Sequence, residues 1–341
     1  MKLAIYGAGS IGTVLGAYIA KSGKNIDLIN RNQEHVKGLR LKGARILGTV
    51  RMVVPVNALL PEEMTSKYDI IFLLTKQLEN KKVVSGLKEF LKEDGVICTL
   101  QNGLPEISVA EVIGEKRTFG CSVAWGATLK GNGVCELTSA PDSLSFSLGT
   151  LSPAPDIQKL RQIKEILECM GTVEIEENFI GSRWAKLLVN SSFSGMSAVL
   201  GATFGVVAKN KASRFCVQKI GKECIDVASA ANIKIEPIQG KDIRRLLDYQ
   251  SSFKQKLSFM IIPLMIRKHR SLKASMLQDL EKGKKTEVDA INGVVCEYGK
   301  KYNAPTPYND LVRHLVHDIE NGRLRPVMDN IQFFETLRKK E

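Results

Sequence analysis

Apolar positions in the first half of the chain come in short runs separated by glycines and polar turns. Lys2-Leu3-Ala4-Ile5-Tyr6 is a β-prone run that stops at Gly7, Ile11 to Ala20 continues at helical spacing, and Asn25 to Ile29 is a second apolar run. This order predicts a βαβ unit over residues 1–31. Gln33 to Leu41 reads as a short helix and Ala44 to Pro55 as a β-prone stretch. Tyr68 to Thr75 and Gly95 to Leu100 are continuous apolar runs, the pattern of parallel strands buried on both faces, with a helix over Asn80 to Leu91 between them. Ile107 to Ile113 is helical, and Thr118 to Thr128, Val134 to Thr138 and Leu144 to Leu148 read as strands. A helix over Asp156 to Met170 and a strand at Val173-Glu174-Ile175 close this half. Beyond it the alternation stops, and helical periodicity runs almost throughout, interrupted at Gly201, Pro237, Pro263, Gly283 and Pro305. The boundary falls near 174–178, giving domains over 1–175 and 176–341, and no internal repeat or low-complexity segment is visible.

Gly7, Gly9 and Gly12 give G-x-G-x-x-G at the first turn of the βαβ unit. Alone the motif is weak; between a strand and a helix it points to a dinucleotide. Gly7 permits the tight turn, Gly9 lets backbone approach a pyrophosphate, and Gly12 lets the helix lie close to the strand. The N–H groups of the helix start, at Ser10 and Ile11, then face the phosphates. An NAD site usually places a carboxylate at the end of the second strand. Here that tip reads Ile29-Asn30-Arg31-Asn32, and the Arg31 guanidinium can fork onto a 2′-phosphate, so NADPH is the expected cofactor. Lys76 and the Gln101-Asn102-Gly103 turn fall just beyond two buried strands, where open parallel sheets bind ligands. The fold class expected is α/β: an N-terminal Rossmann-like, doubly wound parallel sheet followed by an all-helical C-terminal domain.

Composition narrows the function classes. The 341 residues, 44% apolar and 25% charged, are those of an ordinary globular protein long enough for two cores. The net charge of +13 raises nucleic-acid binding. Its basic residues are spread, however, with local clusters only at Arg267-Lys268-His269-Arg270, Lys282 to Lys285 and Arg338-Lys339-Lys340, none interleaved with aromatics. No stacking platform is visible, and the charge suits solubility and steering of a polyanionic cofactor and a carboxylate substrate. The longest strongly apolar stretch, Phe259 to Ile266, is far shorter than the ~20 residues of a membrane span. Met1-Lys2 leads straight into the first strand with no room for a signal peptide, so a cytoplasmic protein is expected. Seven dispersed cysteines show no C-x-x-C and no Cys/His cluster at metal spacing, which predicts reduced, mostly buried thiols and no metal site. His314 and His317, three apart and without a carboxylate motif, read as a solvated or packed pair.

Two segments of the helical half carry polar residues on otherwise apolar helices. One is Asn178 to Asn190, in which Lys186 and Asn190 are i,i+4 and share a face; the other runs from Ser275-Met276-Leu277-Gln278-Asp279 to Lys284 through Gly293. With these residues the chain resembles the ketopantoate reductase (2-dehydropantoate 2-reductase) family. The resemblance spans nearly the full length: the N-terminal glycines, Lys76, Gln101-Asn102-Gly103, Trp184-x-Lys186-x-x-x-Asn190, and Ser275-Met276-x-Gln278-Asp279 with Glu287, Asp289, Asn292 and Gly293. It implies a Rossmann domain followed by a helical one, and NADPH-dependent reduction of a 2-oxo acid to a 2-hydroxy acid. By position it implies that Lys186 is the general acid and that Glu287 orients the substrate hydroxyl and the lysine. Asn190, Ser194 and Ser275 would bind substrate, with Ser275 on the carboxylate, while Lys76 and Asn102 line the cofactor–substrate junction. Trp184 reads as core packing. Intact Lys186 and Glu287 argue against a non-catalytic NADPH-binding sensor. The partner is a small 2-oxo acid, with neither nucleic acid nor membrane, and a homodimer is left open.

The chain departs from the family pattern at two places. Ser194 stands where a second asparagine follows Lys-x-x-x-Asn, and Phe204-Gly205 stands where an Asn-Gly pair is common. Both changes make the substrate wall more apolar, so ketopantoate is the first expectation and a 2-oxo acid with a different side chain the alternative. The segment between 201 and 275 is also longer than the family norm, with a basic stretch over 254–270.

Overall fold

The computed structural model describes residues 1–238 and 240–339. Lys340 of the C-terminal basic cluster and the last two positions of the expected second domain lie outside the described residues. The chain divides into two compact units, Met1–Phe179 and Ile180–Glu341.

The first unit is built on β1 (Leu3–Tyr6), α1 (Ser10–Lys21), β2 (Ile26–Ile29), α2 (Gln33–Lys42), β3 (Ala44–Gly48), β4 (Met52–Val54) and β5 (Asn57–Leu59). There follow β6 (Tyr68–Leu73), α3 (Asn80–Leu87), β7 (Leu91–Thr99), α4 (Pro105–Ile113), β8 (Thr118–Val123), β9 (Ala127–Gly131) and β10 (Val134–Leu137), then β11 (Ser145–Gly149), α5 (Ile157–Leu167) and β12 (Thr172–Ile175). One sheet has the order β12-β11-β8-β7-β6-β1-β2-β5. In its centre Ile5 of β1 pairs in parallel with Leu28 of β2 and Phe72 of β6. Successive side chains of β1 enter opposite cores: Leu3 and Ile5 lie with Val14, Leu15 and Leu28, whereas Ala4 lies with Ile71, Leu73 and Val84. That two-sided burial is why these strands read as unbroken apolar runs. The expected α/β class holds, with one antiparallel pair, β8 with β11, inside an otherwise parallel sheet.

A second sheet, β4-β3-β10-β9, was not anticipated. The stretch 44–55 is a hairpin rather than one strand, 118–128 breaks into β8 and β9, and β10 pairs in parallel with β3 some ninety positions earlier. This small sheet covers the side of α1 turned away from β1 and β2. Gly12 through Ala17 and Ile19 are consequently all buried. A helix apolar on both sides needs two covers.

The second unit is helical: α6 (Phe179–Val189), α7 (Gly195–Leu200), α8 (Phe204–Lys209), α9 (Lys211–Ala230), α10 (Ile243–Leu247) and α11 (Ser252–Met265), then α12 (Ser275–Leu280), α13 (Val294–Lys301), α14 (Pro307–Glu320) and α15 (Glu335–Arg338). Pro263, expected to break a helix, sits inside the last turn of α11, which ends only at Met265. Gly201 does end α7, at φ 60°, held against the carbonyl of Pro326. Two π-helical turns interrupt the α-pattern: Asn190–Ser194 joins α6 to α7, and Asp289–Gly293 leads into α13. Among the described residues no helix is long and apolar enough to cross a membrane. All seven cysteines are thiols, six of them buried and Cys169 half-buried.

Candidate active site

In the first unit the chain leaves β1 for β2 on one side and returns through β6 on the other. The topological switch therefore lies between β1 and β6, where such sheets bind ligands at their carboxyl ends. The glycine turn sits there. Gly7 has φ +98°, and a Cβ on it would stand 2.6 Å from the Thr75 nitrogen. A Cβ on Gly12 would stand 2.9 Å from the Gly7 carbonyl oxygen and from Ile5 Cγ2, so this glycine lets α1 lie against β1. Gly9 differs: its Cβ would meet nothing nearer than 3.9 Å, leaving backbone open to a ligand. Ser10 and Ile11 begin α1, with no acidic residue in its first turn. An open glycine directly before a helix start free of carboxylates fits a pyrophosphate.

The turn is braced from behind. The amide of Asn30 donates to the Ala8 carbonyl at 2.8 Å, and Thr13 Oγ1 donates to the same oxygen at 3.0 Å. His35 Nδ1 accepts from the Gly133 N–H at 3.1 Å, so its proton is on Nε2, 3.0 Å from Thr13 Oγ1. Burial lowers the His35 pKa, matching that neutral tautomer. Sequence reasoning missed this histidine, whose place in a short helix carried no distinguishing signal. Arg31 is exposed at the tip of β2, and Asn32 beside it caps α2 by accepting from the His35 N–H at 3.1 Å.

Lys76 and Asn102 are half-buried beyond β6 and β7. Gln77 donates to the Asn102 carbonyl. Gln101 is buried, and its amide donates to the Thr75 carbonyl at 2.7 Å and to Asn80 Oδ1 at 2.8 Å. It clasps the two strand ends together.

In the second unit Trp184 is fully buried, edge-on to Tyr298 at 5.3 Å, as its reading as core requires. Lys186 and Asn190 are half-buried, and Ser194 is buried. Asn190 to Ser194 form the first π-turn, whose wider winding re-aims side chains relative to a regular i,i+4 ladder. The Ser191 carbonyl in that turn accepts from Asn292 Nδ2 at 3.1 Å. Asn292 belongs to the second π-turn, which begins two residues after the half-buried Glu287. A Cβ on Gly195 would stand 2.8 Å from Val312 Cγ1 and 3.0 Å from Asn292 Oδ1, so a glycine is needed where these segments cross. α12 packs on α7 and on the first π-turn, with Ser275 exposed at its start. The structure thus gathers the three segments that carry Lys186, Asn190 and Ser194, then Ser275, then Glu287, around the first π-turn.

Asn292 is backed by a buried network. Its Nδ2 also donates to Asn309 Oδ1 at 2.9 Å, and Asn309 Nδ2 donates to Glu223 Oε2 at 2.7 Å. The Glu223 carboxyl further accepts from the N–H groups of Tyr308 and Asn309, at 2.8 and 2.9 Å, at the start of α14. Burial pushes its pKa up to about 7 against these donors. The signal for Glu223 was present, since it shares a helix face with Cys216, Ile220, Cys224 and Val227, all buried. Thr286, beside Glu287, donates through both N–H and Oγ1 to Glu320 at 2.7 Å. His317 lies between Asp289 and Glu320, at 3.0 and 3.1 Å, while His314 is exposed near Asp318. Within the first π-turn, the Phe193 ring packs on Phe204 at 5.4 Å.

Known proteins similar to this chain fall in one family and share its fold. Residues 3–150 match the family described as Ketopantoate reductase PanE/ApbA, and residues 178–320 match Ketopantoate reductase PanE/ApbA C terminal. The 2-dehydropantoate 2-reductase of Pyrococcus horikoshii is 30% identical over 320 residues, 93% of this chain and 96% of that one. That of Lactococcus lactis subsp. lactis is 28% identical over 326 residues, 94% and 98%. Among solved structures, a ternary complex of D-mandelate dehydrogenase with NADH and anilino(oxo)acetate superposes with a TM-score of 0.81 at 24% identity, covering 94% of this chain and 99% of that one. The PanE/ApbA family ketopantoate reductase from Ralstonia eutropha JMP134 gives 0.79 at 22% identity, with the same coverage. With both halves matched, this chain belongs to the ketopantoate reductase family of oxidoreductases.

Proposed function

We propose that this chain is a cytoplasmic enzyme that reduces a 2-oxo acid to the 2-hydroxy acid with NADPH, ketopantoate to pantoate in pantothenate biosynthesis being the first candidate. The observation that carries the reading is the Asn292–Ser191 hydrogen bond, which ties the segment after Lys186 to the segment after Glu287. The names of the curated relatives support the substrate, and the carboxylate-free tip at Arg31 supports the cofactor.

The bound nicotinamide supplies the hydride. Backbone at Gly7, Gly9, Ser10, Ile11 and Gly12 holds the pyrophosphate, Arg31 pairs with the 2′-phosphate, and Lys76 and Asn102 hold the nicotinamide end. The Lys186 ammonium stabilises negative charge developing on the substrate carbonyl oxygen and delivers its proton there. Glu287 orients the substrate hydroxyl and Lys186. Asn190 and Ser194 hydrogen-bond the substrate, and Ser275 binds its carboxylate.

A second reading is favoured by the Phe193–Phe204 pair, which puts aromatic surface where the family pattern has an amide. The substrate would then be a 2-oxo acid with an apolar or aromatic side chain. One structural neighbour, a D-mandelate dehydrogenase holding anilino(oxo)acetate, is of that kind and carries NADH. Steady-state oxidation of NADPH and NADH across ketopantoate, pyruvate, 2-oxoisovalerate and a phenyl-bearing 2-oxo acid tests both. The first reading expects the highest kcat/KM for ketopantoate with NADPH. A preference for the phenyl acid transfers the assignment to the second, and no oxidation with any of the four contradicts both.

A further inference from the structure

Helix α11 is apolar on two opposite faces, and only one of them is covered. Ser258, Ile262 and Ile266 are buried on the inner face; the Gln255 carbonyl accepts from Gln218 of α9 at 2.8 Å, and Arg214 of α9 lies 4.0 Å over the Phe259 ring. The outer face carries Phe253, Leu257, Met260 and Leu264, exposed by 77, 46, 70 and 69%. At 3.6 residues per turn these four fall within about 60° of one another, the narrow seam of a helix that packs against another helix. A soluble monomer rarely leaves such a stripe to water.

We propose that this stripe is an isologous contact between two copies of the chain, with α11 packed antiparallel against its symmetry mate. Three observations select a second copy. The spacing of the four residues, four then three then four, reads the same in both directions. A two-fold axis between Leu257 and Met260 therefore sets Phe253 on the partner's Leu264 and Leu257 on the partner's Met260, with all four matched at once. In that register Lys254 lies across from Pro263 and Lys256 across from Ile261, so no lysine opposes another. The four side chains expose about 500 Å² per copy, or about 1,000 Å² for the pair, the least area of a specific interface. An anionic lipid surface is the rival, since residues 249–278 hold six lysines and arginines and no carboxylate until Asp279. Interfacial helices, however, turn a charged face to water, whereas the inner face of α11 is packed on α9.

Sedimentation velocity of the full chain at micromolar concentration, with Met260→Glu beside it, tests the contact. The wild type should sediment at twice the chain mass and Met260→Glu as a monomer. Because Met260 is mostly exposed, that variant should keep the wild-type far-UV circular dichroism and a cooperative melt, which separates lost pairing from lost folding. Under mild oxidation, the double variant Phe253→Cys/Leu264→Cys should form a disulfide-linked dimer while each single variant links no more than wild type. A monomeric wild type, a dimeric Met260→Glu, or linking by the single variants overturns the proposal. A monomer that instead pellets with phosphatidylglycerol vesicles assigns the face to lipid.

Discussion

The amide of Asn292 donates at 3.1 Å to the main-chain carbonyl of Ser191, joining two π-turns that lie 101 positions apart. A π-turn leaves a carbonyl without its usual i+4 donor, and a side chain inserted there holds the irregularity in place. Asn292→Ala removes that donor and the one serving Asn309. Loss of about 1–3 kcal/mol is expected from urea unfolding. The kcat/KM should fall as well, because Asn190 begins the first turn and Glu287 stands two residues before the second. A variant with unchanged stability would show that the turns hold themselves.

The three motif glycines should separate into two classes. Gly7→Ala forces a side chain onto φ +98° and to within 2.6 Å of Thr75 nitrogen, so it should destabilise by at least about 2 kcal/mol. Gly9 has φ −78° and open space around it, so Gly9→Ala should fold within about 0.5 kcal/mol of wild type yet bind dinucleotide at least about tenfold more weakly. Thermal melts and cofactor titration check both. Equal affinity in Gly9→Ala would remove the turn from the cofactor site.

Arg31→Ala should raise the NADPH Kd by roughly tenfold to a hundredfold, the loss of a charge-assisted hydrogen-bond pair, and leave the NADH Kd within about twofold. Titration of nicotinamide fluorescence reads both. A parallel loss for the two cofactors would mean that Arg31 does not meet a 2′-phosphate.

The two units should answer pH in opposite directions. Burial holds His35 below its usual 6.5, so its contribution is present above that pH and is lost as pH falls through the lower folded value. The buried Glu223 carboxyl, raised from 4.5 to about 7, contributes most below its unfolded value and loses that contribution as pH rises through about 7. Melting curves across this range should lose their acid slope in His35→Asn and their neutral slope in Glu223→Gln. Unchanged slopes in both variants would assign the pH dependence to other groups.

The βαβ unit and the glycine turn were legible because local pattern and motif coincide there. Ile70 to Leu73 was legible because burial on both faces leaves no polar position. The four-stranded sheet was not, since β3 and β10 find each other across ninety positions with only short strands as signal. The all-round apolarity of α1 was its trace. At the site, the family resemblance supplied Lys186 and Glu287 by position. It could not supply the π-turns, which obey no apolar period, nor Glu223, whose role depends on the start of α14 more than eighty residues later.

Rapid mixing of NADPH-loaded protein with ketopantoate, wild type against Lys186→Ala, measures the reducing step apart from cofactor binding. The wild type should oxidise NADPH, and the variant should bind it with unchanged Kd but oxidise it at least about 100-fold more slowly. Equal rates would contradict the assignment of the proton to Lys186.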